Sequence, residues 1–181
     1  MRHKVLIPLD GSEFSRQILP HMQRFLGPDG AEFLLLRVAP LPEGLTAPPP
    51  RPSVIVDEYV LQEYESSGHV ERARHPIDLD RVLVSSRGSL LDELQGDVSR
   101  LCEAGYVVTA TVRFGDPADE IVSAAGEEGA DLIAMTTHGR TGLRRLVLGS
   151  VAERVLHRVS VPVLLVRPFE PPAGEAAVSE S

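Results

Sequence analysis

Short, continuously apolar runs alternate with stretches of helical periodicity along most of this chain, and that alternation restricts the fold more than any other feature. Val5 to Leu9 is one such run, stopped by the turn signal Asp10-Gly11-Ser12. Ala31 to Ala39 is another. Its Phe33-Leu34-Leu35-Leu36 centre has no polar face, as expected of a strand covered on both sides, and Arg37 lies near its exit. Tyr106 to Phe114, rich in β-branched residues, Leu132 to Thr136 and Val161 to Val166 complete the set of strands. Between them, Ile18, Leu19, Met22, Phe25 and Leu26 recur at helical spacing behind Ser12, an N-cap for a helix to about Leu26 that Pro20 should kink. Leu90, Leu91, Leu94, Val98, Leu101 and Cys102 mark a helix ended at Gly105, with Cys102 as a core thiol. Asp116-Pro117 opens a further helix, the aspartate as cap and the proline in the first helical position. Ser150 to Val159 is the last, with Ser150 and Glu153 spaced as a capping box.

Strands that alternate with helices require right-handed crossovers. The fold class is therefore α/β: a five-stranded parallel sheet with helices on both faces. A chain of 181 residues argues for one domain, and with aromatics at 4% its core must be aliphatic. Residues 1–168 form that domain. An extended insert at about 40–86 interrupts it. Pro40 to Ser53 holds six prolines and reads as an extended loop, Val54 to Tyr64 carries a helical pattern, and Ser66 to Leu79 is polar and unassigned. Residues 169–181 read as a disordered tail.

The formal net charge of -8 weighs against nucleic acid as a partner, which needs a basic surface to displace counterions. Cys102 is the only cysteine, so no intrachain disulfide forms, which fits a reducing compartment. No stretch has the roughly 18 apolar residues of a membrane span, and the first residues lack the apolar run of a signal peptide. The expectation is a cytoplasmic protein with no membrane association.

In parallel sheets of this kind, ligands bind beyond the carboxyl ends of the strands, where the strand order reverses. Asp10, Val38 and Thr136 to Gly139 all fall at such ends. Gly149-Ser150, opening the last helix, admits two readings: a capped helix start and nothing more, or a backbone cradle for phosphate at a helix N-terminus. His138 is either a donor to phosphate or ribose, or a histidine bonded to backbone. Arg140, Arg144 and Arg145 either screen phosphate or form a solvated surface. Asp10 either accepts from ribose hydroxyls, with an indirect contact to magnesium as a further option, or is simply the aspartate of a turn. No G-x-x-x-x-G-K-[ST], G-x-G-x-x-G, G-x-S-x-G or zinc-spaced Cys/His motif occurs, and no catalytic constellation is evident.

Thr136-Thr137-His138-Gly139, nine residues, then Gly149-Ser150 resembles the nucleotide loop of the universal stress protein family. Val5-Leu-Ile-Pro-Leu-Asp-Gly-Ser12, Leu34-Leu-Leu-Arg-Val38, Phe114-Gly-Asp-Pro-Ala-Asp-Glu-Ile121, Asp131-Leu-Ile-Ala-Met135 and Val161-Pro-Val-Leu-Leu-Val166 are similar to that family's strands and turns, in the same order. In its ATP-binding branch the loop reads G-x-x-G, nine residues, then G-S or G-T. Thr136 stands where the first glycine would. The resemblance implies an adenine nucleotide alpha hydrolase-like, Rossmann-like sandwich that binds ATP, with magnesium as an accompanying ion. It places Pro8, Asp10 and Val38 around adenine and ribose, Met135, Thr136 and His138 on the ribose side, and Gly139, Gly149, Ser150 and Val151 on the phosphates. It also implies a homodimer paired through the strand Val161 to Val166, and a regulatory role in stress adaptation through a protein partner that the residues do not identify. Two alternatives stay open: a slow ATP hydrolase, and a nucleotide-free dimerisation scaffold of the same fold.

Overall fold

The computed structural model describes residues 2–41, 79–137 and 148–169, which carry all five expected strands. They are β1 (His3–Pro8), β2 (Ala31–Ala39), β3 (Val107–Phe114), β4 (Leu132–Thr136) and β5 (Val163–Val166). They form one sheet in the order β3-β2-β1-β4-β5, with every neighbouring pair parallel. The connecting helices are α1 (Glu13–Arg16), α2 (Ile18–Phe25), α3 (Leu79–Glu103), α4 (Pro117–Glu127) and α5 (Ser150–Leu156).

The unbroken apolar runs follow from this layering. Successive side chains of a strand point to opposite faces. Val5, Ile7, Phe33 and Leu35 meet Ile18 and Met22 of α2 and Leu94 and Leu101 of α3 on one side. Leu6, Leu34, Leu36 and Ile133 meet Ala118, Ile121 and Ala124 of α4 and Val155 of α5 on the other. Both faces of β1 and β2 are dry, so neither strand has room for a polar stripe. Two of the few aromatic residues sit in this core: the Phe33 and Tyr106 rings are buried and stack with centroids 4.6 Å apart.

Three expectations about the helices are corrected. The helix expected from Ser12 to Leu26 is two. Ser12 does cap α1, accepting from the Ser15 amide at 3.1 Å, but the chain breaks at Gln17 and restarts at Ile18. The restart places Pro20 in the first turn of α2, where a missing N–H breaks no helical bond. Cys102 is exposed rather than buried. Leu94, Val98 and Leu101 form the core-facing stripe of α3, and the next residue is turned by about 100° away from it. Helix α3 also starts at Leu79, inside the stretch at about 40–86, well before the first residue of the apolar pattern at Leu90. The proline-rich segment beyond Leu41, the helical pattern of Val54 to Tyr64, and residues 170–181 lie outside the described residues.

The N-cap of α4 is built as expected. Asp116 Oδ1 accepts from the amides of Ala118 at 3.0 Å and Asp119 at 3.1 Å, and Arg154 of α5 donates to Asp116 Oδ2 at 2.9 Å. The Arg154 hydrogen bond, followed by those cap amides, holds the Asp116 carboxyl below the usual carboxylate range. Replacing Asp116 with Ala should lower stability by about 1 kcal/mol at neutral pH, read by urea denaturation. A depressed carboxyl stabilises the fold fully only above its unfolded value of about 4, and that contribution is lost as pH falls through the lower folded value. The gap between the two proteins should therefore narrow in acid. A gap that stayed the same there would show that the cap acts without its charge.

Candidate functional site

The chain runs outward from β1 to β2 and β3, then returns to the other side of β1 as β4 and β5. Loops leaving the carboxyl ends of β1 and β4 therefore part in opposite directions, which opens a crevice between them. A cavity of ≈ 380 Å³ lies there. Eight of the ten residues singled out from the sequence line it: Pro8, Asp10, Val38, Met135, Thr136, Gly149, Ser150 and Val151. The other two, His138 and Gly139, fall in 138–147, outside the described residues, as do Arg140, Arg144 and Arg145.

The turn reading of Asp10 is realised. Its Oδ1 accepts from the Ser12 amide at 2.9 Å and from the Ser12 hydroxyl at 2.6 Å, closing the chain tightly after β1. The same residue forms part of the cavity wall, and it is the one carboxylate among the described lining residues. Structural and ligand roles are therefore not exclusive here: the turn fixes where the carboxylate stands.

On the opposite wall, the expected capping box of Ser150 and Glu153 is not formed. Gly149 is the N-cap of α5, in an extended conformation, with no side chain capping the helix, and Ser150 is the first helical residue. The Gly149 amide donates to the Thr137 carbonyl at 2.8 Å, which brings the residue before Ser150 against the end of β4. The Glu153 amide closes the first turn onto the Gly149 carbonyl at 2.9 Å. Because no side chain caps this end, the first-turn amides begin at the cavity wall without a side-chain acceptor. Thr136, in the position of the first glycine of the loop motif, ends β4 opposite Val166 and is only 8% exposed. A β-branched residue suits that strand end.

The cavity also has walls that sequence reasoning did not assign to it: Ser15 of α1, Leu36 and Arg37 of β2, and Pro117 and Ile121 of α4. Ile121 reads simply as core in a helical pattern, and Pro117 as a helix start, so neither carried a signal. Arg37 did carry one, since it is the only charged residue between Phe33 and Ala39. It is buried, with Nε 3.4 Å from a Glu93 carboxylate oxygen of α3. Among the described residues no group of three His, Cys, Asp or Glu side chains is placed to hold a metal ion. Nor is any described helix long and apolar enough to cross a membrane.

A sequence model of the universal stress protein family matches residues 1–167. Universal stress protein MJ0577 of Methanocaldococcus jannaschii is 29% identical over 177 residues, covering 92% of this chain and 96% of its own. A solved structure of MJ0577 aligns with a TM-score of 0.63 at 26% identity, over 94% of this chain and 99% of that one. A universal stress protein family structure from Arabidopsis thaliana with AMP bound aligns with a TM-score of 0.57 at 18% identity, over 94% and 97% of the two chains. A universal stress protein in complex with cAMP aligns with a TM-score of 0.55 at 17% identity, over 92% and 97%.

Proposed function

Because the chain belongs to the universal stress protein family, we propose that it binds an adenine nucleotide, ATP in the first place, in the cavity between the carboxyl ends of β1 and β4, and acts as a dimeric regulatory module in stress adaptation. The observation that carries this reading is a single cavity that joins Asp10 on one wall to Gly149, Ser150 and Val151 on the other. A carboxylate suits the hydroxyls of a sugar, and a glycine followed by uncapped helical amides suits phosphate oxygens. Pro8 and Val38 offer an apolar surface to the base, with Met135, Thr136 and His138 on the ribose side. By the resemblance of the loop motif, Gly139 would join Gly149, Ser150 and Val151 around the phosphates. A volume of ≈ 380 Å³ lies within the range of about 300 to 1,000 Å³ typical of small-molecule sites. The AMP and cAMP carried by two proteins of similar fold support the adenine part of the reading. Magnesium would arrive with the triphosphate, since that ion is usually held by phosphates and one or two carboxylates, and Asp10 is the carboxylate among the described lining residues. Dimerisation through Val161 to Val166 is supported by the place of β5 at the end of the sheet, where Val163 to Val166 are all only partly buried. The regulatory output would then pass to a protein partner through the nucleotide state of the dimer.

Titration calorimetry of the purified protein with ATP tests the nucleotide reading. Gly149→Val places an isopropyl group on the phosphate wall and should weaken binding by about tenfold or more, roughly 1.4 kcal/mol. Binding weaker than about 1 mM, near −4 kcal/mol, or an affinity indifferent to that substitution, would sink the proposal.

A further inference from the structure

An ionic frame surrounds the turn that carries Asp10. Arg16 of α1 donates through Nε to Asp97 Oδ2 at 2.8 Å, through Nη1 to the Gly11 carbonyl at 3.0 Å, and through Nη2 to the Glu93 carbonyl at 3.3 Å. The Asp97 side chain is 1% exposed and is also bound by Arg100. Arg37 lies against the same turn. A Cβ on Gly11 would stand 3.0 Å from its Nη2, and its Nε faces Glu93. Gly11 has φ +84°, so the backbone there is in the left-handed region, and a side chain there would also press on the Arg37 guanidinium and the Glu93 carboxylate. Two guanidinium groups therefore bear on one residue, and both are answered by carboxylates of α3.

A carboxylate buried as deeply as Asp97 is costly to desolvate, and such pairs often contribute little net stability compared with an apolar replacement. Its neighbours Leu94, Val98 and Leu101 already supply the core contacts of that helix face. What Asp97 adds is direction. Glu13 Oε1 also accepts from Arg16 Nη1 at 3.2 Å, but Glu13 is exposed, and it is the buried Asp97 carboxylate that holds Nε and so turns one arm of the fork to the Gly11 carbonyl. The residue before Gly11 is Asp10, whose carboxylate lines the cavity.

We infer that Asp97 is a positioning residue: acting through Arg16, it fixes the Asp10-Gly11 turn so that the Asp10 carboxylate meets the ribose hydroxyls, and it thereby sets the preference for a ribose over a sugar lacking those hydroxyls. The inference rests on the nucleotide reading above. Hydrogen bonds weaken steeply once distance and angle leave their narrow range, so a small displacement of the turn removes the sugar contacts. The apolar base contacts and the phosphate wall at α5 are not part of the frame. Loss of Asp97 is therefore felt in sugar discrimination, while binding of the triphosphate itself persists.

The test compares affinities for ATP and 2′,3′-dideoxy-ATP in the wild type and in Asp97→Asn, Arg16→Lys, Asp10→Asn and the Asp10→Asn/Asp97→Asn double variant. The wild type should prefer ATP by about tenfold or more, on the scale of one or two hydrogen bonds to a charged group. In Asp97→Asn and Arg16→Lys the ratio should fall toward one, through weaker ATP binding with dideoxy-ATP affinity retained. The double variant should discriminate no less than Asp10→Asn alone, because both changes act on the same contact. If Asp97→Asn fails to fold by circular dichroism, Arg16→Lys carries the test, since Arg16 is partly exposed on a surface helix. A folded variant that keeps the wild-type ratio, or additive losses in the double variant, would overturn the inference. Those outcomes differ from failure of the parent reading, in which the wild type binds neither nucleotide. A wild type that binds both equally would remove the ribose role of Asp10 and the inference with it.

Discussion

Asp10→Ala should weaken ATP binding by about a hundredfold, roughly 3 kcal/mol, on the scale of two hydrogen bonds to an ionised group at about 1.5 to 3 kcal/mol each. The cavity holds one carboxylate among its described lining residues, so no other described lining residue can replace it. Part of the loss has a second source. Asp10 Oδ1 also holds the Ser12 amide and hydroxyl, and Ser12 caps α1, so the alanine loosens the turn as well as removing the charge. Asp10→Asn separates the two effects. Its amide oxygen can still close the turn, so its melting temperature should stay near that of the wild type while ATP affinity falls. Calorimetric titration and thermal melting of both variants together are decisive. If Asp10→Ala bound ATP within about threefold of the wild type, less than 1 kcal/mol, the sugar assignment would be wrong.

Phe33→Ala should be the most destabilising of these substitutions, at about 3 to 5 kcal/mol. Phe33 is 1% exposed at the centre of the core on the α2/α3 side, and its ring lies on that of Tyr106. Tyr106 cannot move to fill the space. Its hydroxyl donates to the Leu26 carbonyl at 2.6 Å, which pins the far end of the ring. The cavity left behind therefore stays open, and the stacking contribution of about 0.5 to 1.5 kcal/mol is lost in addition. For a domain of this size the melting temperature should fall by roughly 10 °C or more. Phe25 supplies the control: it is 66% exposed, and Phe25→Ala should change stability by no more than about 0.5 kcal/mol. Equal effects at the two positions would mean that the core is not packed as described.

Much of the architecture was legible in the residues. Phe33 to Leu36 read as a strand covered on both sides, because four consecutive apolar side chains on a pleated strand face both ways. Asp116-Pro117 marked a helix start through local chemistry that needs no tertiary context, and the structure forms it as expected. The candidate site was legible for a related reason. Asp10, Val38 and Thr136 sit at or just past strand ends, and parallel topology brings those ends together whatever the loops do. Boundaries were less legible where a neighbour decides them. The break at Gln17 is coupled to Pro20, and the Gln17 side chain bonds the backbone of Phe169, a residue far away in sequence. The cap of α5 lies at Gly149, whose amide donates to the Thr137 carbonyl, a long-range contact that no local pattern announces.

The order of elements, the apolar layers and the position of the carboxyl-end residues thus follow from periodicity and local propensity, which act over a few residues and can be read along the chain. The burial of Arg37 and Asp97, the exposure of Cys102, and the frame that holds Gly11 do not follow from them. Each depends on which helix lies across which strand and at what rotation: Glu93 and Asp97 are one turn apart on α3, and the packing of that helix brings them to Arg37 and Arg16, far away in the chain. Long-range charge pairing carries no spacing rule, because its cost and benefit are set by desolvation inside the folded core.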